Sequence, residues 1–425
     1  MHEPHERARR LRCTVSPAVL FVSFVCFVVP SVQAAEQRNV AAIVTVYHHN
    51  SHADLIVSRL FQTHTLDGKG DSPQLKLASL YVDQFPKNDI SRKLAAEYKF
   101  PIYDKISDAL TLGTGKLAVD GVLLIAEHGD YPTSDTGAVV WPKRRMFEQI
   151  AKVFEQSGRV VPVFIDKHVA DNWTDMKWMY DTAQRMKIPL MAGSSLPVVW
   201  RRPAVDVERG AKLKEIVAVS YHTLDGYGFH ALEMVQCLVE RRRGGETGIE
   251  SVQCLTGKAV WDAGEKKMYD AELLKTALGR LERPPSAEKK LSDLVPEPVL
   301  FVIDYADGLR ANVLTLNGAV GEWSVAWRYK PGNRVESRLF WTQEWRPLMH
   351  FAFLLAGIEQ MFQTGKPAWP VERTLLTSGA LDALLTSKKE GGKRIETPHL
   401  RFQYATDWSW NDPPPPPLNR PLDGP

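Results

Sequence analysis

Three short segments of this chain put ionisable side chains where a fold could use them. The run VVPVFIDKH, Val160 to His168, is an apolar strand that stops abruptly in charge at Lys167. A lysine there sets an ammonium, or an amine of depressed pKa, beside whatever binds at the strand end. The run DGYGFHALE, Asp225 to Glu233, opens a helix with His230, and Glu233 follows one turn later. Such a histidine serves as a general acid/base or a metal ligand. The i, i+3 spacing gives His230 and Glu233 one helical face, but two ligands do not define a site, and no metal is expected. Glu127 and His128 end a third apolar run. Plainer readings stand beside these: a strand-end lysine reaching water, a hydrogen-bonded structural histidine, a polar loop. Tyr227 and Trp200 are aromatic faces for a sugar ring or simply core. Lys167 on a strand end and His230 on a helix of the next domain together predict proton-coupled chemistry in a cleft.

The elements that must position these groups alternate from Asn39 onward. Apolar runs at 40–47, 77–82, 121–126, 160–165 and 189–192 predict strands. Helical spacing at 52–62, 88–98, 144–155 and 173–186 fills the gaps. Continuous apolar strands between helices predict a parallel sheet covered on both faces. Beyond residue 197 the pattern changes. Strands at 213–222, 249–255, 299–303, 310–316, 322–327 and 337–341 are separated by turn signals such as Asp307-Gly308 and Pro331-Gly332-Asn333. With helices at 229–240, 348–364 and 373–387, they predict an α+β domain on an open, mostly antiparallel sheet. The expected plan is a signal segment at 1–35, a Rossmann-like dinucleotide-binding domain at 38–195, an α+β substrate and oligomerisation domain at 196–405, and a proline-rich tail at 406–425.

The signal segment rests on four arginines, Arg7 to Arg12, an apolar stretch from Val19 to Val29, and small residues ending at Ala35. That order is a secretory signal peptide's, and Arg9-Arg10 leaves the twin-arginine route open. The apolar stretch is shorter than the ~20 residues of a membrane span, so no stable anchor is expected after cleavage, and the address is periplasmic or extracellular. Cys13 and Cys26 would leave with the signal. Cys237 and Cys254 are either a disulfide or two buried thiols. A net charge of +3 over 425 residues, with Arg241 to Arg243 as the longest basic run, gives no reason to expect nucleic acid.

Four places make the chain resemble the Gfo/Idh/MocA (glucose–fructose oxidoreductase/inositol dehydrogenase) family, over Asn39 to Tyr404. Ala118–Ile125 resembles the strand leading to the nicotinamide. Val161–His168 resembles the strand ending in an acid-lysine-proline triplet whose lysine is catalytic. Asp225–His230 resembles the segment supplying the catalytic histidine, and Ile358–Pro370 with Leu381–Ser387 the closing helices. Two departures stand out. His168 replaces the proline, and the first turn, Thr45 to Asp54, has no glycine where Gly-x-Gly-x-x-Gly is expected.

The resemblance implies an NAD(P)-dependent oxidoreductase with Lys167 and His230 as catalytic residues. It implies NAD or NADP, tightly held outside the cytoplasm, bound by Thr45, Asn50, Ser51, Asp83, Glu127 and His128. Asn50 or Ser51 would cap the first helix, His48, His49 and His52 would add charge at low pH, and Asp83 would receive the ribose hydroxyls. Asp225, Tyr227 and Glu233 would bind a sugar, cyclitol or glycoside. A homo-oligomer is compatible with this plan. Two other readings stay open: a secreted non-catalytic carbohydrate-binding or scaffolding protein, and a metal-assisted lyase or hydrolase.

Overall fold

A computed structural model describes residues 37–417; the stretch expected to be a signal segment, with Cys13 and Cys26, and the last eight residues lie outside it. The first sheet is built from β1 (Arg38–Val44), β2 (Leu75–Val82), β3 (Ile102–Tyr103), β4 (Gly121–Ile125), β5 (Val163–Asp166) and β6 (Leu190–Gly193). All pairs are parallel, in the order β3-β2-β1-β4-β5-β6. Every residue of β4, β5 and β6 is buried, as continuous apolar strands covered on both faces must be. The covering helices are α1 (His52–Val57), α2 (Ser91–Tyr98), α3 (Ile106–Thr111), α4 (Lys143–Ser157) and α5 (Trp173–Met186). The order reverses between β1 and β4, so the loops after those strands flank a topological switch point.

The second sheet contains β7 (Trp200–Arg202), β8 (Lys212–Ser220), β9 (Ile249–Thr256), β10 (Val299–Tyr305), β11 (Arg310–Thr315), β12 (Trp323–Lys330), β13 (Val335–Trp341) and β14 (Ile395–Glu396). Its order is β14-β9-β10-β11-β8-β12-β13-β7, antiparallel except for β11 with β8. Its helices are α6 (Phe229–Val239), α7 (Lys258–Glu265), α8 (Ala271–Leu278), α9 (Leu291–Leu294), α10 (His350–Thr364) and α11 (Val371–Lys389). The central strand β8 alternates: Ile216 and Ala218 join the core under α6 and α11, while Val217 and Val219 join the core under α8.

The first-turn helix is shorter than its spacing predicts: after Val57 the chain tightens into a 3₁₀ turn at Ser58–Leu60. Arg59 is fully buried there and donates to the carbonyl of Leu55 and, 288 residues on, to that of Pro347. The small elements β3, α3, β7 and α7 to α9 carry too few periodic residues to read from sequence. The tail keeps no regular structure yet is docked: Trp410 Nε1 donates to Val199 O at 2.8 Å, and Trp200 Nε1 to Pro414 O at 2.9 Å. Cys237 and Cys254 are buried free thiols. No described helix is long and apolar enough to cross a membrane.

Candidate functional site

Lys167 follows β5 directly, and its Nζ donates to Glu127 Oε1 at 2.7 Å, both side chains being nearly buried. Burial opposes the charge on Lys167, but Glu127 and Asp166 outweigh it and hold the ammonium above its ordinary pKa. Burial would likewise neutralise Glu127, but Lys167 foremost, then His52 and Lys143, holds that carboxylate well below its usual range. The pairing with Glu127 thus favours the ammonium over the depressed-pKa amine.

Its backbone is held by a residue that sequence reading missed. Lys143, the first residue of α4, is fully buried, and its Nζ donates to the carbonyls of Asp166 (2.9 Å), Lys167 (2.5 Å) and His168 (2.8 Å). Burial draws its pKa down to about 8. His168, standing where the resemblance expects proline, donates through Nε2 to the carbonyl of Asp225 at 2.9 Å and packs edge-on against Phe229. That bond ties the end of β5 to the π-helical turn Leu224–Gly228 that feeds α6. A Cβ on Gly226 would lie 3.9 Å from Lys167 Nζ, so the turn lies against the lysine.

His230 enters from that turn. Its Nδ1 lies 2.5 Å from Ser194 Oγ, which itself accepts from Leu196 N at 2.9 Å. Burial first, then Lys167, pushes His230 well below the usual imidazole pKa, so it is neutral. Lys167 and His230 line one cavity of about 300 Å³, with His52, Glu127, His128, Tyr227, Trp323, Glu344 and His350. Tyr227 stacks on Trp323 with centroids 5.2 Å apart. Glu127 Oε2 and His128 Nδ1 are buried without a protein partner, as befits groups that meet a polar ligand. A second cavity of about 770 Å³ shares Glu127, Thr223 and Gly226 with the first and includes Asp225.

Other expected site residues lie elsewhere. Glu233 is fully buried under the site, accepting from Thr377 Oγ1 at 2.6 Å and lying 3.5 Å from Ser194 N. It neither lines the cavity nor pairs with His230, because α6 turns that face into α11. Gly193, at φ 142°, is needed above it: a Cβ would meet Glu233 Oε2 at 3.0 Å. Among the described residues no group of three His, Cys, Asp or Glu could hold a metal. Trp200 packs against Trp341 and Phe353 rather than lining the cleft. Thr45 Oγ1 donates to the carbonyl of Glu127 at 2.8 Å, a loop contact. The groups sequence reading missed, His350, Trp323, Glu344 and Lys143, come from separate elements with no local motif, and His52 was read only as added charge.

Solved structures match this architecture over nearly their whole length. GenD2 from gentamicin A biosynthesis, in complex with NAD, superposes with a TM-score of 0.53 at 13% identity, over 85% of this chain and 96% of its own. Myo-inositol 2-dehydrogenase from Lactobacillus plantarum gives 0.51 at 13% identity, over 85% and 99%. An NAD binding oxidoreductase from Klebsiella pneumoniae gives 0.51 at 12%, over 85% and 98%. The chain has the Gfo/Idh/MocA fold. In sequence it matches no family model and no curated protein.

In a Gfo/Idh/MocA fold a dinucleotide would cross the switch point, with pyrophosphate on the first turn and ribose on the acid after β2. The residues present here do not fit it. Ser51 caps α1, as expected, but its Oγ also accepts from His48 N at 3.2 Å. Asn50, left-handed at φ 58°, donates its backbone N–H to Asp54 Oδ2 at 2.9 Å, and Arg346 pairs with the same carboxylate at 2.6 Å. Asn50 N is thus taken by the chain's own buried carboxylate, and His48 N and Asp54 N by the hydroxyl of Ser51. Asp83 is saturated: Tyr81 (2.7 Å), Tyr131 (2.8 Å) and Arg145 (2.8 and 2.9 Å) donate to it. Gln84 exchanges two 2.9 Å hydrogen bonds with the backbone of Asp130. The loops after β2 and β4 are therefore bridged to each other beside the end of β1. Thr45, Ser51 and Asp83, expected as cofactor residues, are braces instead. Asn50, Glu127 and His128 line the 300 Å³ cavity.

Proposed function

We propose that this protein is an exported enzyme that moves protons at the hydroxyl- or carbonyl-bearing carbons of a sugar, cyclitol or glycoside. The observation that carries the reading is the convergence of Lys167, paired to Glu127, and His230, held by Ser194, on one cavity with a Tyr227–Trp323 face. A volume of about 300 Å³ is at the small end of ligand sites, which run from roughly 300 to 1,000 Å³, and suits a monosaccharide. The fixed ammonium of Lys167 would stabilise negative charge developing on a substrate oxygen. His230 would exchange the hydroxyl proton, a contribution of typically 10²–10⁴-fold. Glu127 and Tyr227 would bind hydroxyls, and export rests on the signal-like sequence.

A second reading has its own support. The fold likeness to GenD2 in complex with NAD and to an inositol dehydrogenase favours oxidoreduction with NAD(H), whereas the braced switch point disfavours it. Mass spectrometry of the natively purified protein, with calorimetry against NAD and NADP, separates the two. Tightly held nicotinamide would establish the oxidoreductase; no nucleotide and no heat up to millimolar would leave proton transfer alone. Calorimetry against monosaccharides and cyclitols tests the main reading: no binding to the wild type, or unchanged turnover in Lys167→Ala and His230→Ala, would sink it.

A further inference from the structure

Among the cavity's histidines is one that the resemblance credits only with charge and the reading above gives no role. His52 opens α1 and lines the cavity, its ring edge-on to His128 and Phe351. Its Nδ1 lies 2.6 Å from Asp166 Oδ2, a carboxylate with 2% of its side chain exposed. A carboxylate can only accept, so Nδ1 carries the proton and Nε2 is the basic atom. Across the cavity His230 Nδ1 meets a hydroxyl instead of a carboxylate. Ser194 Oγ accepts from Leu196 N and lies 2.5 Å from His230 Nδ1; with its hydroxyl proton given to Nδ1, His230 keeps Nε2–H as the donor. Two imidazoles thus share one cavity, one bonded through Nδ1 to a carboxylate and the other through Nδ1 to a hydroxyl, with the Lys167 ammonium beside them.

We propose that His52 is the catalytic base and His230 the catalytic acid of a redox-neutral enolisation of a keto- or aldo-sugar, needing no dinucleotide. The inference rests on the sugar-cavity reading and adds the reaction. His52 Nε2 takes the proton from the carbinol carbon next to the substrate carbonyl. That C–H electron pair becomes the C=C bond, and the carbonyl π pair goes to oxygen, which takes the proton of His230 Nε2. Lys167 stabilises the charge developing there. His52 then gives its proton to the former carbonyl carbon, the C=C pair forming the new C–H bond. The neighbouring hydroxyl returns a proton to His230 Nε2 and becomes the carbonyl, so that both imidazoles are restored in an isomerisation with no net oxidation. The bridged loops after β2 and β4 fit this, since nothing must cross the switch point. Asp166 is a positioning residue, fixing the tautomer of His52.

The test uses the full mature protein, shown nucleotide-free, incubated in D₂O with ketoses and keto-cyclitols and followed by proton NMR. Deuterium should replace the hydrogen next to the carbonyl without added nicotinamide. His52→Gln should slow that exchange about 10²–10⁴-fold while its melting profile stays near wild type. Asp166→Asn should slow it less and shift the pH dependence of the rate. Independently of any substrate, ¹⁵N NMR should find the proton on Nδ1 of His52 and on Nε2 of His230. Wild-type exchange in His52→Gln, exchange that appears only with NAD(P), or the opposite tautomers would each overturn the proposal. If Lys167→Ala and His230→Ala fail but His52→Gln does not, the sugar-cavity reading survives and this one falls. If no panel sugar binds, the sugar-cavity reading falls and this reaction with it.

Discussion

Residues in this site act through what holds them. Lys167→Ala and His230→Ala should each lower turnover by orders of magnitude with little loss of structure, and the double variant should be little worse, because groups working on one transition state are non-additive. Steady-state kinetics with circular dichroism checks this; strictly multiplicative losses would argue for separate roles. Lys143 is the stronger structural test. Lys143→Ala strips three buried carbonyls of their donor, and each unsatisfied group costs about 1–3 kcal/mol. A melt should show that loss, and methylammonium added to the variant should restore part of both stability and activity. Lys167 and His230 were legible because one ends an apolar run and the other opens a helix. His52 was legible only as a charge, because the partner that defines it, Asp166, lies 114 residues away. Lys143 carried no signal, since its partners are backbone carbonyls.

At the scale of elements, the crest of the first sheet departs most from expectation. The glycine-less turn is legible in sequence; that its loops close over β1 is not, because Gln84–Asp130 and Asp83–Tyr131 are pairings between distant loops. Asp83 was expected to select NAD over NADP. As a brace it predicts otherwise: Asp83→Ser should lower the unfolding free energy by about 1–3 kcal/mol for the orphaned partners, seen as a lower melting temperature, and leave nucleotide preference untouched. A gain in NADP affinity would show that the crest opens. Beneath the site, α6 and α11 share a fully buried Arg373–Glu240 pair at 2.5 Å. Arg373→Met should destabilise by about 3–5 kcal/mol by stranding Glu240, measurable by urea titration. Both sheets and their long helices were readable because continuous or periodic apolar runs encode them, whereas α7 to α9 are short pieces between Gly and Pro.

For the whole molecule, the buried imidazoles set the acid limit. Burial pulls His128 down to about 4 and His350 to about 3, against about 6.5 in an unfolded chain. Below pH 6.5 the unfolded state binds more protons, so stability present in full above that pH is lost as the pH falls towards 4 and below. Urea midpoints should decline between pH 7 and 4.5, and His128→Asn, whose side chain tolerates the left-handed backbone there, should flatten that decline. The cavity itself is assembled from residues as far apart as Asn50 and Phe351, and the Arg346–Asp54 bond that braces its first turn joins positions 292 apart. A ribosome must therefore release most of the second sheet before any catalytic geometry exists. During synthesis, and throughout any unfolded passage across a membrane, this cavity does not exist, so the proposed reaction should begin only where folding ends.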